Sequence, residues 1–194
     1  VTEKPTEQST LADEPGDVEK TDKSEGKVEK QAVEPVITDK VSEDVKAKET
    51  TETLSQKNAI KKAEQYIKLM AFSESGLIDQ LEFEGFSNED ATYAVNKLNV
   101  DWKEQAIKKA KDYLDIMAFS KSGLANQLEF EGFSNEEAAY AVNHLNVDWK
   151  NQAVKKAKDY LDLTSFSRSG LINQLEFEGF TTEEATYAVD QIGL

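Results

Sequence analysis

From Leu54 onward the apolar residues form short stripes at helical spacing. Ile60, Ala63, Ile67 and Met70 lie three or four residues apart, with Lys61, Lys62, Glu64, Gln65 and Lys68 between them. That is the pattern of an amphipathic helix. Leu77, Ile78 and Leu81 predict a second helix over about Ser73 to Glu84, and Ala91, Ala94, Val95 and Leu98 a third. Gly85 stands between them, where a glycine with positive φ lets a helix end and the chain turn. Ser87 is positioned to cap the third helix, with Asp90 three residues on as in a capping box. Phe86, just ahead of the cap, is placed to staple onto Ala91.

The three stripes recur. Phe72, Phe119 and Phe166 are spaced by 47 residues, as are Gly85, Gly132 and Gly179. The string LEFEGF occurs unaltered at Leu81–Phe86, Leu128–Phe133 and Leu175–Phe180. FSESGL, FSKSGL and FSRSGL precede it, and TYAV, AYAV and TYAV follow. A period of this length marks tandem structural repeats. The expected fold is all-α: three tandem three-helix, helix-turn-helix-like repeats over residues 53–100, 101–147 and 148–194. Capping pairs recur as Ser134 with Glu137 and Thr181 with Glu184. Asp101 and Asp148 are candidate N-caps at the copy boundaries. Trp102 and Trp149 follow them, each where a preceding copy exists, and are read as inter-repeat packing residues. With no Gly- or Pro-rich linker between copies, the units are expected to form one semi-rigid array.

Composition separates residues 1–52 from the rest. They hold fifteen acids against eight bases, all three prolines and none of the seventeen aromatics. Such a segment buries too little apolar surface to offset the roughly 1–2 kcal/mol per residue that ordering costs. It is read as a disordered acidic tether. The chain opens at Val1 rather than Met, as expected after trimming or removal of a leader, and a long, charged, Cys-free tether ahead of a folded part suits a surface protein held at its N-terminus.

Charge and residue content narrow the chemistry. The net charge is −15, there is no Cys, and His144 is the only histidine. A disulfide framework, a cysteine nucleophile and a multi-histidine zinc site are excluded, and no metal or cofactor is expected. The second and third helices resemble a DNA-reading motif. Their third helices open on Glu89-Asp90, Glu136-Glu137 and Glu183-Glu184, which repel a phosphate backbone. Nucleic acid is therefore not an expected partner. Glu82 and Glu84, repeated as Glu129/Glu131 and Glu176/Glu178, do not suit paired acid–base catalysis. Residues two apart on a helix point about 200° away from each other. The chain is read as a non-enzyme.

Two accounts of these carboxylates remain. They are solvated charges, in part paired with Lys61, Lys62 and their counterparts. Or Glu82, Glu84, Glu89 and Asp90, with Glu129, Glu131, Glu136, Glu137, Glu176, Glu178, Glu183 and Glu184, form an acidic ladder that attracts a basic polypeptide. Position 74 is Glu, its counterparts are Lys121 and Arg168, and Asp79 maps to Asn126 and Asn173. LEFEGF does not vary. Packing of Phe83 and Phe86 accounts for that constancy, as does recent duplication.

The motifs A-x-x-Y, F-S-x-S-G-L, Q-L-x-x-E-G-F and A-x-Y-A-V, in that order and three times over, resemble the repeated module of the Ltp-type host cell surface-exposed lipoproteins of Gram-positive bacteria and their prophages. The resemblance covers residues 57–194. It implies a small three-helix protein-binding module. It also implies a monomer on the outer face of the cell membrane, held by a lipid anchor absent from this chain. In the family's prophage member such a protein blocks genome injection by a second phage, and its target is the incoming phage's tape-measure protein. A basic segment of that protein would meet the acidic face. The alternative role is bacterial surface adhesion or cell-wall-associated binding.

Because residues 1–52 contribute no core position, their deletion should leave the thermal midpoint unchanged to within a few degrees. A larger fall, measured by circular dichroism, would show that they pack on the repeats.

Overall fold

The structure, a computed structural model, describes residues 51–194; apart from Thr51 and Glu52, the segment read as a tether lies outside the described residues. The described residues are helical with no strands. Each 47-residue unit contributes three helices: α1 (Leu54–Leu69), α2 (Glu74–Phe83) and α3 (Asn88–Lys97); α4 (Trp102–Ile116), α5 (Lys121–Phe130) and α6 (Asn135–His144); α7 (Trp149–Leu163), α8 (Arg168–Phe177) and α9 (Thr182–Gln191).

Each helix begins at the residue that can cap it. Ser73, Ser120 and Ser167 accept the N–H of Gly76, Gly123 and Gly170. Asp101 and Asp148 cap α4 and α7. Full capping boxes close α6 and α9 through Glu137 and Glu184. At α3 the expected box is incomplete. Ser87 accepts from the Asp90 N–H, but the shorter aspartate does not return the bond. It accepts from the Ser55 hydroxyl at 2.5 Å instead. The second helices end in a Schellman turn. Gly85, Gly132 and Gly179 have φ of 93°, 88° and 87°, and the N–H of Phe86, Phe133 and Phe180 reaches back to Leu81, Leu128 and Leu175.

Within a unit the first and second helices both pack on the third. The first core uses Ala59 and Ala63 from α1, Leu77 and Leu81 from α2, and Ala91, Ala94 and Val95 from α3. Small residues on the outer two helices bring their backbones close, and the leucines of the second fill the gap. Burying each leucine contributes roughly 1.5–3 kcal/mol. The second and third cores repeat the arrangement and add Phe133 and Phe180.

The units meet through helix ends. The Ser73 hydroxyl donates to the carbonyl of Glu131 at 2.6 Å, and Ser75 to that of Gly132 at 3.1 Å. Ser120 and Ser122 make the same bonds to Glu178 and Gly179 at 2.6 and 2.8 Å. Gly132 is required here twice over. Its φ is positive, and a Cβ would stand 2.2 Å from the Ser75 hydroxyl. On the other side of the junction Trp102 packs against the first core and Trp149 against the second. Gln105 and Gln152 are buried there, while their counterpart Asn58 is exposed.

The three cap serines separate two effects. All three cap a second helix, but among the described residues only Ser73 and Ser120 also bind a neighbouring unit. Ser120→Ala should therefore lower unfolding free energy by about 1 kcal/mol more than Ser167→Ala, the net worth of an ordinary hydrogen bond. Denaturant titration of the two variants reads the difference. Equal losses would mean that the junction bond contributes nothing.

Candidate binding surface

The twelve carboxylates expected to form one ladder fall into separate environments. Glu84, Glu131 and Glu178, which end the second helices, are held inside their own units. Each accepts the phenol of Tyr66, Tyr113 or Tyr160. Each also pairs with Lys62, Lys109 or Lys156 at 3.1, 3.0 and 3.3 Å. Gln80, Gln127 and Gln174 donate to the same phenols at 3.2, 3.1 and 3.0 Å. This cluster ties the first helix to the second. Its carboxylates are engaged from within their own units.

The cluster shifts the protonation of several of its members. Glu84 is held below the ordinary carboxylate range by the hydrogen bonds from Tyr66 and Lys62. For Glu131, burial pushes upward, but the bonds from Tyr113 and Lys109 outweigh it and the net shift is downward. Tyr66 is raised chiefly by its bond to Glu84, Tyr113 by burial and then by its bond to Glu131, and Lys62 by its bond to Glu84.

The acids that open the third helices form a second group. Glu136 pairs with Lys103 at 2.6 Å and Glu183 with Lys150 at 2.7 Å, both glutamates remaining largely exposed. Glu137 and Glu184 serve in the capping boxes, and Asp90 binds Ser55. Glu89 has no such lysine, because Gln56 occupies the corresponding place on α1, and it makes no side-chain bond with the described residues. These acids also complement the helix N-termini.

The third group lies on the outer face of the second helices. Glu82 is exposed and unpaired among the described residues. Glu129 accepts from Asn135 at 2.8 Å and Glu176 from Thr182 at 2.6 Å. Beside each stands a phenylalanine in water: Phe83, Phe130 and Phe177 are 88%, 85% and 86% exposed. The packing role expected of Phe83 is therefore wrong, whereas Phe133 and Phe180 are buried and Phe86 half-buried. The signal was present in the sequence. Phe83 lies two residues from Leu81, on the opposite side of the helix.

Among the described residues no cluster of His, Asp or Glu is arranged to hold a metal ion, and no helix is long and apolar enough to cross a membrane. A shallow hollow of about 540 Å³ at the second junction is lined by aliphatic residues such as Ile107 and Leu145 and by charges such as Lys111 and Asp148. His144 also lines it, with its Nδ1 2.8 Å from the carbonyl of Tyr140 in its own helix.

The lowered Glu84 and Glu131 predict acid sensitivity. Groups held below their unfolded values stabilise the fold above the ordinary carboxylate range, and that stability is lost as pH falls through their folded values. The thermal midpoint should hold from neutrality to about pH 5 and fall below about pH 4.5. Glu131→Gln should flatten that fall while lowering the midpoint at neutral pH. At the other extreme the raised Tyr66, Tyr113 and Lys62 predict loss of stability above about pH 10. A midpoint that is flat from pH 3 to 6 would contradict the role given to the cluster.

The surface can now be set beside known proteins. Among solved structures the chain is similar to Ltp, a superinfection exclusion protein from the Streptococcus thermophilus temperate phage TP-J34. The identity is 35% over 50% of this chain and 100% of that one, with a TM-score of 0.47. A search of curated proteins finds no match. The sequence model of the host cell surface-exposed lipoproteins matches three times, at residues 55–98, 101–145 and 148–192, one match to each three-helix unit. These matches cover more than half of the chain, and the protein belongs to the host cell surface-exposed lipoprotein family.

Proposed function

We propose that this chain is the binding part of a surface-exposed lipoprotein that excludes superinfecting phage. It seizes a protein of the incoming particle before the genome crosses the membrane. The observation that carries the reading is the triple family match, which puts the same surface module in tandem three times. The family description places such proteins outside the cell, where an injecting phage must pass. The surface supports a binding role: its exposed groups include single carboxylates and phenylalanines repeated at 47-residue intervals. A lipid anchor ahead of this sequence would hold the array at the outer face of the membrane. The target proposed is the tape-measure protein, through a segment rich in Lys or Arg. The carboxylates available to it are Glu82, Glu89, Glu129, Glu136, Glu176 and Glu183.

The test expresses the anchored precursor in a phage-sensitive host and separates adsorption from DNA delivery. Adsorption should be unchanged while intracellular phage DNA falls sharply. Normal DNA delivery, together with retention of the purified protein on peptidoglycan, would replace this reading with a cell-wall-binding role. Reversing Glu82, Glu129 and Glu176 to Lys should weaken exclusion without altering the helical content. In vitro, binding of a tape-measure fragment should weaken as salt rises, since screening acts over about 8 Å at physiological ionic strength.

A further inference from the structure

We infer that Phe83, Phe130 and Phe177, each with the glutamate before it, are the anchoring contacts for the partner. The occupant they fit is an amphipathic helix that carries Lys or Arg beside its apolar stripe. The inference rests on the proposed binding role and names the residues that perform it.

Three observations carry it. An isolated exposed apolar residue is ordinary, but here the same large aromatic is more than four-fifths exposed at the same place in all three units. Exposed neighbours have drifted between copies. Glu74 becomes Lys121 and Arg168, Asp79 becomes Asn126 and Asn173, and Asn88, kept as Asn135, becomes Thr182. Drift has therefore acted on this surface without touching Phe83, Phe130 and Phe177. Their burial on binding is the gain that keeps such a residue useful, since aromatics dominate the energetics of interfaces.

Charge decides the occupant. Glu82, Glu129 and Glu176 precede the phenylalanines directly and remain outside the tyrosine–lysine cluster. The repeats from Thr53 to Leu194 hold 23 acids against 15 bases, a net of −8. A partner that covers the phenylalanine must bring apolar surface and positive charge together. A basic amphipathic helix does both, laying aliphatic side chains on the ring and ammonium or guanidinium groups near the carboxylate. An anionic bilayer would offer apolar depth but the wrong sign of charge.

The probe is a synthetic helix with a leucine stripe flanked by lysines, fluorescently labelled and titrated with the full chain. Its controls are the same composition scrambled to remove the stripe, and vesicles of phosphatidylglycerol or phosphatidylcholine. The patterned helix should bind better than the scrambled one, and neither vesicle should bind. Phe83→Ala/Phe130→Ala/Phe177→Ala should weaken binding at least about tenfold, as expected for hot-spot aromatics. Circular dichroism and the thermal midpoint should stay near wild type, because the rings contact little of their own fold. Glu82→Gln/Glu129→Gln/Glu176→Gln should reduce the salt dependence.

Equal binding of the scrambled helix, or wild-type affinity in the phenylalanine variant, would overturn the inference. Vesicle binding lost in that variant would do so too, in favour of a membrane-facing role. The phage assay is independent of this one. If the variant fails to bind the helix and the wild-type lipoprotein does not block DNA delivery, the contact residues stand and the exclusion role falls. If exclusion holds in wild type and persists undiminished in the phenylalanine variant, the contact residues fall alone.

Discussion

The array depends on one contact, a helix N-terminus of one unit set against a helix C-terminus of the next. Ser73 is the pivot. Its hydroxyl oxygen accepts the N–H of Gly76 and its proton goes to the carbonyl of Glu131, so one side chain caps its own helix and satisfies a neighbour's terminus. The N-terminus of α2 carries partial positive charge and the C-terminus of α5 partial negative charge, and their meeting is favourable. The same step is taken between α5 and α8. Three ten-residue helices, each too short to persist alone in water, are thereby joined end to end. The outer faces show what the junction covers. Ala71 and Ala118 are 4% exposed, whereas their counterpart in the third unit is an exposed serine, Ser165. Where no described unit follows, a polar residue stands in place of the buried alanine.

That contact divides the string LEFEGF into parts with different duties. Leu81 and its counterparts fill the core, Glu84 binds tyrosine and lysine, Gly85 turns the chain, and Phe86 returns it to the core. The carbonyls at the fourth and fifth positions of copies two and three receive the preceding unit's serines. Internal structure thus accounts for four of the six side chains. It does not account for the second and third, Glu82 and Phe83, which face water, and this remainder is where a partner has something to hold.

Local interactions made much of the fold legible in the sequence. Helices follow from apolar spacing, and their starts from Ser, Thr and Asp at caps, because each signal spans only a few residues. The junction was not legible, since Ser73 and Glu131 are 58 residues apart and neither type announces a long-range bond. The incomplete box at Ser87 turns on one methylene: Asp90 is too short to reach back, while Glu137 and Glu184 succeed. The carboxylates of the expected ladder divide for a related reason. Adjacency in sequence does not give a shared environment, because alternation around a helix brings Glu84 to Lys62 and leaves Glu82 outside. The same alternation exposes Phe83, because its angle from Leu81 around the helix outweighs the packing role that its residue type suggests.

A fixed step between units governs what such a surface can select. One phenylalanine and one glutamate offer a contact of only a few kcal/mol before the cost of association is subtracted, too little for tight binding by itself. Joint engagement of linked sites can raise avidity by about 10²–10⁴, but only when the partner's own spacing matches. Both junctions use the same serine-to-carbonyl bond at 2.6 Å, so the second and third contacts are displaced from the first by nearly the same operation. A short ligand with a single apolar patch gains from this no more than a choice of three equivalent places. An extended chain that repeats its basic and apolar groups gains multiplicatively, because its second contact forms without a new loss of translational freedom. A fixed junction therefore converts the weak contact proposed for each unit into discrimination by length.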